Sequence, residues 1–83
     1  MKKKIAVIGL GYVGLPLVAA FSEKHVVLGY DNDAARVREL NNGYDRIGQI
    51  AKAYLIKLQG RLTFSNDPAS LSDCNTYIIT VPT

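Results

Sequence analysis

Three glycines, one carboxylate and one guanidinium carry whatever chemistry this chain has. Gly9, Gly11 and Gly14 stand in a Gly-x-Gly-x-x-Gly pattern, Asp31 follows 20 positions after Gly11, and Arg36 comes five residues later. A turn of this kind has a job for each glycine: Gly9 permits the tight exit from a strand, Gly11 leaves backbone that a pyrophosphate can approach, and Gly14 lets the following helix pack closely. The free N–H groups and partial positive charge at that helix start suit a phosphate. Asp31 suits the 2′- and 3′-hydroxyls of a ribose and repels a 2′-phosphate, which favours NAD over NADP. The alternative for Asp31 is a helix cap or a plain surface carboxylate. Arg36 falls in the first turn of a helix, a poor place for a cation. That conflict points to another task, such as stacking near an adenine, with a solvated side chain as the alternative.

These residues need a particular set of elements to position them. The apolar run Ile5–Ile8 predicts a buried parallel strand, and the pattern from about Tyr12 to Lys24 predicts a helix with Val13, Leu17 and Phe21 on its apolar stripe, flanked by Gly14 and Val18. Pro16 falls at or just past its first turn. Val26–Tyr30 is a second strand, ended by Asp31. A helix from Ala34 to about Asn42 buries Val37 and Leu40, is capped by Asn32 or Asp33, and stops at Gly43. Tyr44–Ile47 reads as a loop, Gln49–Leu58 as a helix with Ile50, Tyr54, Leu55 and Leu58 inward, and Arg61–Ser65 as a short strand. Asp67-Pro68 opens a one- or two-turn helix to Asp73, and Tyr77–Val81 is a fourth strand ended by Pro82. This alternation predicts a Rossmann-like, doubly wound α/β fold with a parallel sheet of order 3-2-1-4. Its ligand crevice lies where the carboxyl ends of strands one and four meet.

Composition narrows the remaining classes. Eighty-three residues make one small domain, and 48% hydrophobic with 20% charged residues is ordinary globular composition. The net charge of +3 is mostly Lys2, Lys3 and Lys4, so no nucleic-acid face is expected. A single cysteine, Cys74, excludes a disulfide framework and a cysteine metal cluster and fits a reducing cytoplasm. The lysines followed by 17 uncharged residues, Ile5 to Phe21, imitate an export signal, but dinucleotide-spaced glycines and Pro16 interrupt it, and it is too short for a membrane span. His25, between helix and strand, reads as a surface loop residue.

GLGYVGLPL (Gly9–Leu17), GYDND-AAR (Gly29–Arg36), LNNGYDRIGQI (Leu40–Ile50), LTFSND (Leu62–Asp67) and YIITVPT (Tyr77–Thr83) together resemble the UDP-glucose/GDP-mannose dehydrogenase family across essentially the whole chain. The Asn-Gly-x-Asp-Arg segment, without the family's usual Glu-Pro-Gly loop, is most similar to the UDP-N-acetylhexosamine 6-dehydrogenases of capsular and Vi-type polysaccharide synthesis. The resemblance implies oxidation of carbon 6 of a UDP-sugar to a uronate with two NAD in succession, through a cysteine thiohemiacetal. It also implies a homodimeric parent with central and UDP-sugar domains beyond a partial NAD-binding domain at residues 1–83. By the same resemblance Tyr12 and Val13 contact the pyrophosphate and neighbouring ribose, Asp31 the adenosine ribose, Arg36 the adenine end, and Thr83 the nicotinamide half. No catalytic or metal-ligating residue is expected here: Cys74 has no neighbouring base and is read as structural, with the family nucleophile downstream. The chain alone is expected to bind NAD at best, and a bare fourth strand to invite self-association. The rival reading is a regulatory nucleotide-sensing domain of the kind that gates potassium transport. Such domains share the glycine turn and the acidic residue after strand two, but the Val-Pro-Thr ending argues against them.

Overall fold

In a computed structural model, which describes residues 4–11, 13–45, 48, 51–58 and 60–80, four strands form one parallel sheet of order β3-β2-β1-β4. The strands are β1 (Lys4–Ile8), β2 (Val26–Tyr30), β3 (Leu62–Ser65) and β4 (Thr76–Ile79). They are linked by α1 (Gly14–Ser22), α2 (Ala34–Asn41), α3 (Lys52–Lys57) and a 3₁₀ turn at Pro68–Asp73. The register aligns Ile8 with Tyr30 on one side and with Ile79 on the other, so three strands end level. The expected fold and strand order are both present.

Strand alternation divides the core. Ile5, Val7 and Val27 join Leu15, Val18 and Ala19 of α1, Leu40 of α2 and Leu55 of α3 on one face, while Ala6 and Leu28 meet Leu71 and Cys74 on the other. The three α-helices therefore share one face and the 3₁₀ turn covers the second. β1, central and covered twice, has Ile5, Ala6 and Val7 at 2% exposure or less. β4 is an edge strand: Tyr77 and Ile79 are exposed although their run reads as buried. The Tyr77 hydroxyl still reaches the Leu71 and Cys74 carbonyls at 2.7 and 2.8 Å.

The stripe expected on α1 is wrong by one position. Val13 is exposed and Leu17 and Phe21 are half-buried, while Gly14, Leu15, Val18, Ala19 and Ser22 face inward. The reason is steric: Gly14 must lie against the Gly9 carbonyl, and that contact sets the helix phase. The polar Ser22 tolerates the inward line because its hydroxyl donates to the Val18 carbonyl at 2.6 Å. The helix begins at Gly14, so Pro16 is its third residue, where no intrahelical N–H bond is lost. Asp33 caps α2 by accepting from Ala35 and Arg36 N–H, Gly43 follows that helix at φ +81°, and Asp67 caps the 3₁₀ turn through Ala69 N–H. His25 lies just after α1 and donates its backbone N–H to the Phe21 carbonyl at 2.9 Å.

Candidate functional site

The turn that leaves β1 is held from three sides. Gly9 adopts φ +102°, a conformation that favours glycine, and its N–H donates to the Tyr30 carbonyl at 2.8 Å. From β4, the Thr80 hydroxyl lies 2.9 Å from the Gly9 carbonyl and 3.1 Å from that of Ile8. Thr80 was not singled out from sequence. The signal for it was the strand order, which puts the residue after β4 beside the turn after β1. From β2, Asp31 Oδ2 accepts the Leu10 N–H at 3.0 Å, while Oδ1 accepts the Asp33 N–H at 3.0 Å. On the carbonyl side of the same residue, Arg36 Nε donates to the Leu10 oxygen at 2.9 Å.

Leu10, which stands between the first two glycines, thus has both backbone groups gripped by side chains. Its own side chain is 1% exposed and packs at Gly29, where a Cβ would come within 3.0 Å of Leu10 Cδ2 and 2.9 Å of the Phe64 ring. Gly29 leaves the slot that anchors the turn to β2.

The three glycines of the pattern differ sharply. A Cβ on Gly14 would stand 1.6 Å from the Gly9 oxygen and 2.5 Å from Thr80 Oγ1; one on Gly11 would meet none of the described residues within 4 Å. Gly14 is required by protein packing. Gly11 borders open space at the start of α1, and that is the space a phosphate-bearing ligand needs.

Asp31 is half-buried, and each oxygen that accepts a backbone N–H keeps a second lone pair for an external donor. The solvated alternative for Arg36 does not hold: the residue is 5% exposed and its Nη1 donates to Asp45 Oδ1 at 2.8 Å. The dipole conflict noted in the sequence is resolved by this ion pair and by the Leu10 carbonyl. Val13 is exposed beside the turn. Tyr12 and Thr83 lie outside the described residues. A groove of about 450 Å³ opens at the opposite end of the sheet, lined by Ser22, Glu23, Lys57, Leu58, Gly60 and Arg61 at the amino ends of β2 and β3. Parallel sheets take ligands at the other, carboxyl end.

Cys74 is buried and far from this turn in the second core, and burial pushes its thiol above the ordinary value, with Lys4 opposing and Asp73 reinforcing the shift. Burial both disfavours the thiolate and keeps a reagent away, so near neutral pH Cys74 should react with a disulfide reagent more slowly than in the denatured chain. Equal rates would mean an exposed thiol. Because the folded value lies above the unfolded one, the associated stability is complete below the unfolded value and is lost as pH rises through the folded one.

A parallel sheet, a strand–glycine turn–helix unit at its switch point and a carboxylate at the end of the second strand define a dinucleotide-binding domain. Residues 3–83 match the model of the UDP-glucose/GDP-mannose dehydrogenase family, NAD binding domain, and the chain belongs to that family. It is 44% identical over 80 residues to UDP-N-acetyl-D-glucosamine 6-dehydrogenase of Pseudomonas aeruginosa, covering 96% of this chain and 19% of that protein. It is 39% identical over 83 residues to Protein CapL of Staphylococcus aureus, covering 100% of this chain and 19% of that one. Among solved structures, a UDP-glucose dehydrogenase from Pyrobaculum islandicum superposes with a TM-score of 0.86 at 28% identity over 98% of this chain and 20% of its own. The chain spans about a fifth of the length of these relatives. NAD is the cofactor of the domain. Among the described residues no helix is long and apolar enough to cross a membrane.

Proposed function

We propose that this chain holds the adenosine and pyrophosphate portion of NAD for an enzyme that oxidises carbon 6 of a UDP-sugar to a uronate. The observation that carries the reading is the Gly11 side of the turn: open space flanked by a helix start, on a loop already fixed by Asp31, Arg36 and Thr80. In this reading the diphosphate lies against Gly9–Gly14, with Tyr12 and Val13 beside it and the adenosine ribose on the remaining lone pairs of Asp31. Arg36 borders the adenine end, and Thr83 faces the nicotinamide half. NAD supplies the hydride acceptor; the residues of this domain bind and orient it. Membership of the family and the name of the Pseudomonas aeruginosa relative support the substrate class, and capsular-type polysaccharide synthesis in the cytoplasm by a homodimer belongs to the same proposal. Nothing observed favours the nucleotide-sensing alternative.

Calorimetric titration of NAD and NADP into the chain tests this. Wild type should take NAD in preference to NADP. Asp31→Ala should weaken NAD about 10- to 100-fold, the loss of two hydrogen bonds to a charged acceptor, each worth about 1.5–3 kcal/mol and partly offset by water. Undiminished uptake by Asp31→Ala would remove the ribose contact from the reading.

A further inference from the structure

We infer that Asp45 is a positioning residue for the cofactor turn, acting through Arg36. The inference rests on the proposed seat of NAD at that turn and adds a residue that lies outside it, nine positions beyond Arg36.

Arg36 reaches across from α2 to the glycine turn, and its Nε holds the Leu10 carbonyl. A long side chain keeps such a contact only if its head group is fixed. Nη1 is fixed by Asp45, whose side chain is fully buried (0% exposed) while that of Arg36 is 6% exposed. Among the described residues Nη2 is buried without a hydrogen-bond partner. The guanidinium is therefore located by the Leu10 carbonyl at one corner and Asp45 at another. Removing the carboxylate leaves a buried cation with, among the described residues, a single neutral acceptor, and the side chain gains by swinging out to water. The Leu10 carbonyl then loses its donor, and the Leu10 N–H keeps only Asp31. A turn gripped at both backbone groups becomes one gripped at one.

The connection runs from a residue just beyond the Gly43 helix stop, through a buried ion pair, to the backbone between the first two glycines. Asp45 thus pre-sets the loop geometry that a diphosphate needs, and the ordering cost is met on folding rather than on binding.

Amide hydrogen exchange on the 83-residue chain without cofactor, paired with NAD titration, tests this in Asp45→Asn and Asp45→Ala. Asp45→Asn keeps the volume and one acceptor oxygen but removes the charge. We expect exchange at Leu10 to rise about tenfold, with Val7 in β1 unchanged, and NAD affinity to fall about five- to tenfold. Asp45→Ala should exceed both effects; if it does not fold, the Asn variant carries the comparison. Unchanged Leu10 exchange in Asp45→Asn overturns the inference. So does a rise matched at Val7, which reports general loosening, or NAD affinity equal to wild type. Failure of NAD to bind wild type falls on the proposed seat of NAD instead, and the cofactor-free exchange rates still decide whether Asp45 holds the turn.

Discussion

Gly14→Ala should cost this domain a large part of its stability. The new methyl would lie 1.6 Å from the Gly9 carbonyl oxygen and 2.8 Å from its carbon, both backbone atoms of a turn that cannot retreat. Behind that turn are the Tyr30 carbonyl, which accepts the Gly9 N–H, and Thr80, whose hydroxyl touches the Gly9 oxygen. To admit the methyl, α1 must lift from the sheet and uncover Leu15 and Val18, both 0% exposed. Overpacking in a close-packed interior commonly costs about 1–3 kcal/mol, and with no flexible neighbour to give way the upper end or more applies. A domain of this length holds on the order of 4–12 kcal/mol in total. A loss of about 3 kcal/mol lowers the melting temperature by about 12–24 °C. Circular dichroism melts of the two chains measure it. A midpoint within a few degrees of wild type would mean that α1 does not pack on the turn as described.

Three residues earlier, the same substitution should have the opposite profile. Gly11→Ala places its methyl in open space, so the melt should match wild type to within about 0.5 kcal/mol. NAD affinity should nevertheless fall about a hundredfold. A diphosphate held by two backbone N–H groups loses roughly 3 kcal/mol when a side chain keeps it from the backbone, and each 1.4 kcal/mol is tenfold. Calorimetry on the folded variant reads this directly. If Gly11→Ala bound NAD as tightly as wild type, the diphosphate would not lie on that side of the turn. Together the two variants separate the glycine that permits the fold from the one that permits the ligand, a distinction that the pattern of three glycines does not contain.

The elements were legible for reasons of local chemistry. Continuous apolar runs mark strands, Asp33 and Asp67 mark helix starts because short side chains accept the free N–H groups, and Gly43 marks a stop because it enters the left-handed region without strain. Errors in length fell where patterns fade: α1 is shorter than its apolar run, and β3 and β4 shift by a residue at their amino ends. The apolar run alone reads as buried, and the exposure of Ile79 agrees instead with the edge position that the expected strand order gives β4.

By itself the sequence determined the fold class, the order of the strands, the place of the glycine turn and the acidic residue after β2. All of these follow from spacing along one chain and from the few ways in which short parallel units can wind. Only the tertiary structure decided the phase of α1, the burial of Arg36 against Asp45, the part of Thr80, and the grip on both backbone groups of Leu10. Those depend on which atoms meet across 5 to 72 residues of chain, and side-chain reach and steric exclusion at such meetings leave no periodic trace in the sequence.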